Sequence, residues 1–352
     1  MGVETSHTES VDRRTPEAGT AGTGVGADRR WQRSTPRDLQ VIAHETEAVQ
    51  ALRHGDFSRW ARPGGYEARE ELTGHPERLF LFSLGGLWYA GWKTISDYVV
   101  ERDMPGLFCS RVYWHNVLGL VEGLRTCAVD ARVTFRPLDE AARRAVFAAL
   151  TPDTELIHPF VKQREPGREK TGPADGWLVT GERAAFLGMG EEHIRSYTRD
   201  RFGGQFAALT EDVVAYDPAC STGQFLSDFA TLNPARIRTV GQDLSKQMVE
   251  YAESRLERVY HGDAMRPAVP LGSVDILFSR FLNSEVVTTE QARSILPGLV
   301  AALRPGATLV LFGHSPLLLD AHDLVNAGLR VRQSLARQDD YVFQYYICTQ
   351  GA

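Results

Sequence analysis

Three aspartates each close a short apolar run: Asp217 after Val213-Val214-Ala215-Tyr216, Asp243 in Thr239-Val240-Gly241-Gln242-Asp243, and Asp263 after His261-Gly262. Behind the first comes a small-residue turn, Pro218-Ala219-Cys220-Ser221-Thr222-Gly223, and then the start of a helix at Gln224-Phe225-Leu226. Acids at the carboxyl ends of successive parallel strands recognise nucleosides, because ligands of an open βαβ sheet sit outside those ends, near helix N-termini and exposed amides. The first turn must be small so that backbone can approach the ligand. The second acid accepts hydrogen bonds from ribose hydroxyls, as does the acid about 20 residues beyond a dinucleotide-binding turn. That residue is Asp243. The third, Asp263, is placed to accept from an adenine amino group.

The elements that position these acids follow from periodicity. Gln247 to Val259 carries apolar residues at helical spacing behind a Ser245 cap. Val274 to Phe278 is the fourth strand. Gln291 to Leu303 is a further helix, stopped by Arg304-Pro305-Gly306, and Ala307 to Phe312 is the fifth strand, opening into Gly313-His314-Ser315-Pro316. Tyr341 to Thr349 is β-rich and expected to pair antiparallel at the sheet edge.

The stretch from about Asp212 to Thr349 resembles the catalytic domain of class I S-adenosylmethionine (SAM)-dependent methyltransferases. The resemblance implies an α/β, Rossmann-like domain with a mostly parallel seven-stranded sheet. It implies SAM, as methyl donor or as substrate, held by Asp217, Ala219, Ser221, Thr222, Gly223, Asp243, Leu244, Asp263, Ala264 and Ser279. The family's first motif reads acid-x-Gly-x-Gly-x-Gly. This chain keeps Asp217 and Gly223 and departs between them, resembling the Asp-Pro-Ala-Cys-Gly-Thr-Gly form of DNA adenine methyltransferases with Ser221 in place of a glycine. Those enzymes also need a Pro-Pro-aromatic tetrapeptide after the fourth strand. Here that strand runs into Ser279-Arg280-Phe281-Leu282-Asn283, which argues against a base-modifying role.

Three residues are candidates for catalysis. Tyr197, on the helix ahead of the first strand, is placed where small-molecule enzymes of this family set an aromatic near the sulfonium, and an aromatic face attracts a cation by roughly 0.5–2 kcal/mol. The competing reading is a tyrosine covering a helix seam. Asn283 is a candidate polar contact near the transferred carbon. His314 is a candidate base for a nucleophile that arrives protonated, or else a loop histidine with a backbone partner. Arg280 is open to two roles, carboxylate binding or a structural ion pair. Cys220 reads as a small packing residue of the turn. Glu191, Glu192 and His193 are adjacent on a helix and so point apart, which makes a solvated charged turn and not a metal cluster.

A chain of 352 residues with 43% hydrophobic content has room for two domains, and a net charge of −6 with pI near 6.0 argues against nucleic acid or membrane surfaces as partners. Scattered cysteines, no apolar signal core and no run near the 18 or so apolar residues of a membrane span lead to a cytoplasmic expectation. Residues 1–38, rich in Gly, Thr, Ser, Glu and Arg, read as a disordered tail. Residues 39–209 are expected to form a mainly helical N-terminal or lid region, with Arg78 to Trp92 and Tyr113 to Val121 as its aromatic core. Lys162 to Asp175 is expected to be a mobile connection or flap. Residues 210–352 form the SAM domain.

The expected function is SAM-dependent transfer to a small molecule, methyl transfer in specialised metabolism. The alternative is displacement at the 3-amino-3-carboxypropyl arm of SAM, leaving methylthioadenosine. The chain loosely resembles enzymes of that branch, which are isonocardicin synthase-like or azetidine-2-carboxylate-forming. They either transfer the arm to an acceptor or close it on its own amine. A non-catalytic SAM-binding protein is the remaining alternative. The acceptor and the oligomeric state are not read from the sequence.

Overall fold

The computed structural model describes residues 47–71, 79–92, 112–127, 129–151, 154, 172–181, 184, 192–282, 286–312, 318–319, 321–338 and 341–351. Residues 1–38 therefore lie outside it.

The C-terminal half is the expected parallel sheet. Its strands are β8 (Val213–Asp217), β9 (Ile237–Asp243), β10 (Arg258–His261), β11 (Val274–Ser279), β12 (Leu303–Phe312), β13 (Leu329–Gln338) and β14 (Tyr341–Gln350). They run in the order β10-β9-β8-β11-β12-β14-β13. The first five pair in parallel and β14 pairs antiparallel with both neighbours. The final apolar run is therefore interior, between β12 and β13, and the edge belongs to β13. β8 and β11 lie at the centre of the sheet and are almost continuously apolar. Two cores, one on each face, explain why no alternation is visible in them. Among the described residues, five helices connect and cover the strands: α2 (Glu192–Ala207), α3 (Gln224–Ala230), α4 (Lys246–Ala252), α5 (Thr289–Ala302) and α6 (Ala321–Asn326). The Ser245 cap is present, its hydroxyl accepting from the Met248 amide. The helix it starts ends at Ala252, before the expected Val259, which belongs to β10.

Among the described residues of 39–209, the stretch from 61 to 137 is strand where helix was the expectation. Between residues 61 and 137 the chain forms a six-stranded antiparallel sheet, ordered β1-β2-β7-β6-β4-β3, from β1 (Ala61–Arg62), β2 (Gly65–Glu71), β3 (Leu79–Leu84), β4 (Leu87–Trp92), β6 (Val117–Thr126) and β7 (Asp130–Pro137). One helix of this region, α1 (Glu140–Ala148), follows it directly. The aromatic stretch read as helix core is the β3–β4 hairpin. Away from the turn its strands are buried on both sides, at Leu79–Phe82 and Ala90–Trp92, which erases the period-2 signal there, and the turn is Gly85-Gly86 with φ of 56° and 78°. Two left-handed residues match the right-handed strand twist, and only glycine adopts them freely. A short strand, β5 (Val112–Tyr113), leaves this region and pairs with Val342 and Tyr341 of β14.

Candidate SAM site

The acids converge as the spacing requires. Asp217 ends β8, Asp243 ends the adjacent β9, and Asp263 follows β10, the next strand out. Asp243 bridges the turn and the next helix: one carboxylate oxygen accepts from the Ser221 amide at 2.8 Å, the other from the Ser245 amide at 2.8 Å. Burial pushes its pKa up to about 6, against the pull of those two amides. A buried carboxylate with amide partners and no cation bonded to it matches a ribose diol, whose two hydroxyls favour the ionised form.

Ser221 is the sole described non-glycine residue with positive φ, at 52°. It adopts the left-handed conformation of the glycine it replaces, at roughly 1–2 kcal/mol for an L side chain. Gly223 caps α3 at φ 75°. Cys220 is packing, as expected: its side chain fills the space above Gly241, where a Cβ would stand 2.8 Å from the sulfur, and burial drives its thiol pKa up. Thr222 is buried and its carbonyl accepts from Arg255.

Asp217 is fully buried and faces inward. Its Oδ1 accepts from the Ala219 amide at 3.0 Å, fixing the turn, and its Oδ2 pairs with Arg280 Nε at 2.9 Å. Arg280, 9% exposed, also reaches the Ala219 carbonyl and lies over the Phe225 ring at 4.9 Å. The ion-pair role of Arg280 is thus present. Its effect is to set a guanidinium beside the turn that follows β8. On the β9–β10 side, Gln242 joins the loops: its amide nitrogen donates to the carbonyls of Asp263 and Arg266, while its oxygen accepts from Tyr216 and the Ala268 amide. Asp263 Oδ1 accepts from Met265 N. The Leu244 carbonyl contacts His261, and Ala264 packs on the core. Ser279 Oγ is buried without a hydrogen-bond partner.

Tyr197 packs edge-on against Tyr345 at 5.0 Å, Tyr345 stacks on Phe312 at 5.2 Å, and Phe312 meets Phe225 at 5.1 Å. An aromatic row therefore runs from Tyr197 to the Arg280–Asp217 pair along the carboxyl ends of the strands. Asn283 and His314 lie outside the described residues, as does the side chain of His193. Glu192 forms ion pairs with Arg195 and Arg199.

Of the Lys162–Asp175 stretch read as a mobile connection or flap, residues 162–171 lie outside the described residues, and from Gly172 onward the chain is anchored. Gly172 N donates to Val286 O at 2.8 Å, Ser245 Oγ donates to Trp177 O at 2.6 Å, and Val179 N donates to Gln247 Oε1 at 2.7 Å. This strap runs from the segment after β11 to the N-cap of α4, Ser245, two residues from Asp243. Gly176 makes the approach possible: φ is 79°, and a Cβ would stand 2.4 Å from Ser245 N.

Residues 215–306 match a family described as "Methyltransferase domain". The chain is 36% identical over 292 residues to isonocardicin synthase from Nocardia uniformis subsp. tsuyamanensis, covering 79% of this chain and 93% of that one. Among solved structures, a SAM-dependent methyltransferase from Aquifex aeolicus aligns at 18% identity and TM-score 0.38, over 49% of this chain and 99% of its own. DesVI from Streptomyces venezuelae aligns at 15% and TM-score 0.35, over 50% and 100%.

Proposed function

The chain belongs to the family of isonocardicin synthase, a SAM-dependent transferase on the methyltransferase fold, and from that premise we propose that it cleaves the 3-amino-3-carboxypropyl arm of SAM, releasing methylthioadenosine. The observation that carries this reading is the reach of the kinship. The 292 aligned residues extend far beyond the methyltransferase match at 215–306, so the likeness includes most of the N-terminal region outside that match. When bound, SAM supplies a sulfonium whose three attached carbons are all open to displacement. What the protein adds is selection among them.

Asp243 and Ser221 fix the ribose end. Arg280 and Asp217 set both signs of charge beside the turn, the complement of an amino acid's carboxylate and ammonium. In-line displacement is accelerated chiefly by such positioning and by excluding water, and the 172–179 strap and the aromatic row are suited to both. The substrate is a small molecule, and nucleic acid and membrane partners have no place in this reading. Among the described residues no helix is long and apolar enough to cross a membrane.

The test is product analysis by mass spectrometry. Protein incubated with SAM alone, and then with acceptors, is expected to yield methylthioadenosine above an enzyme-free control. Formation without acceptor, together with azetidine-2-carboxylic acid, identifies ring closure; formation only with acceptor identifies transfer. S-adenosylhomocysteine as the product would overturn the proposal in favour of methyl transfer, which the methyltransferase-domain match supports.

A further inference from the structure

The N-terminal sheet contains a buried cation that the proposed reaction does not use. Arg143, on α1, has no exposed surface. Its Nη1 donates to Leu52 O at 2.6 Å, and the rings of Phe57 and Trp114 each lie 5.2 Å from the guanidinium carbon. Among the described residues, Nε and Nη2 have no hydrogen-bond partner. These two nitrogens share one edge of the guanidinium. Their N–H groups point the same way and match the two oxygens of a carboxylate.

The surroundings strengthen the case. His115 is buried edge-on against Trp114 and stays neutral, its pKa pushed down to about 3 by burial and then by Arg53, Arg143 and Arg144. Arg144 lies over Trp114 at 3.8 Å. The acids on the same helix are committed elsewhere: Glu140, exposed, pairs with Arg144 at 2.8 Å, and Asp139 caps the helix through Ala142 N. The cluster has an excess of positive charge and an empty bidentate fork, in a setting where an unpaired ion is strongly disfavoured.

We propose that the Arg143 fork is a receptor for the carboxylate of a small organic acid, enclosed between α1 and the Trp114–Asn116 turn. Trp114 directly follows β5, the strand that joins the N-terminal region to β14, so the receptor stands at the junction of the two sheets.

The test uses the full chain, with sodium formate and acetate as probes against sodium chloride at equal ionic strength. In wild type, one slowly exchanging arginine Nε–H resonance should move downfield saturably with the carboxylates and not with chloride, and the thermal midpoint should rise with it. Arg143→Met should lack that resonance and show no carboxylate-specific rise. Arg143→Lys, which keeps the charge without the planar fork, should bind acetate at least about tenfold more weakly. No saturable response in wild type, or an equal midpoint rise in Arg143→Met, would overturn the proposal. Wild-type affinity in Arg143→Lys would do the same if the methionine variant does not fold. Larger acids are then offered together with SAM. An acid that protects Arg143 and is recovered unchanged is a bound effector, whereas one recovered carrying the arm of SAM is the acceptor; this last distinction rests on the proposed reaction, the binding assay does not.

Discussion

Each sheet buries an arginine, and the two are treated in opposite ways. Arg280, just after β11, meets a buried carboxylate on the neighbouring strand, and the pair holds the turn after β8 through the Ala219 amide and carbonyl. Arg143, against the N-terminal sheet, meets aromatic rings and one carbonyl. The first charge is satisfied within the fold and helps shape a site. The second is left with two of its three donor nitrogens open. A buried ion is therefore evidence of function only after its partners have been counted, and it is the incomplete one that asks for a ligand.

The sharpest test of this contrast is stability. Removing one member of a buried pair strands the other, so Arg280→Met should cost about 3–5 kcal/mol in urea unfolding, and Asp217→Asn combined with it should recover part of that loss. Arg143→Met should stay within about 1 kcal/mol of wild type in carboxylate-free buffer, since it removes an ion that has no counter-ion. Equal losses at the two sites would break the comparison.

The pH response sharpens it further. Asp243 has a folded pKa of about 6 against an ordinary value of 3.8. A carboxyl raised in the folded state contributes stability that is complete below the ordinary value and lost as pH rises through about 6. Binding of the ribose diol favours the ionised form and should strengthen across the same window. SAM affinity measured by calorimetry should thus rise from pH 5 to 7 while the unliganded midpoint gives up the contribution of this group. Asp243→Asn should flatten both curves.

Smaller effects are expected at the strap and the turn. Gly176→Ala meets Ser245 backbone in a left-handed conformation, so it should lift the strap and raise KM for SAM about tenfold, equivalent to 1.4 kcal/mol, with little change in Tm. Ser221→Gly should gain at most about 1 kcal/mol by relieving the positive φ, as read by urea unfolding.

The same asymmetry decided what could be read from the sequence. In a parallel sheet the site has an address, the carboxyl ends of the strands, so Asp217, Asp243 and Asp263 could be placed from their positions behind apolar runs. Their partners could not. That Asp217 turns inward to Arg280, or that Ser221 takes a glycine's conformation, depends on neighbours 63 and 22 residues away in the chain. The antiparallel N-terminal sheet has no comparable address. Its one local signal was Gly85-Gly86 between the apolar runs, a hairpin turn that outweighs the helical reading. The strap was illegible for a related reason: a Pro- and Gly-rich stretch looks loose until its backbone partners at Val286, Ser245 and Gln247 are known. The catalytic candidates Asn283 and His314 lie outside the described residues, and Tyr197 lies at the far end of the aromatic row.

The two-residue pairing of β5 with β14 bears on how such a molecule can be rearranged. β14 pairs with β12 through Tyr345–Thr349 and reaches β5 through Tyr341 and Val342, so one strand belongs to both halves. A graft that exchanged N-terminal regions between relatives at a border near residue 209 would keep the covalent boundary and sever this stitch. The module that can be inherited or transplanted intact is discontinuous: the N-terminal sheet together with the opening residues of the last strand.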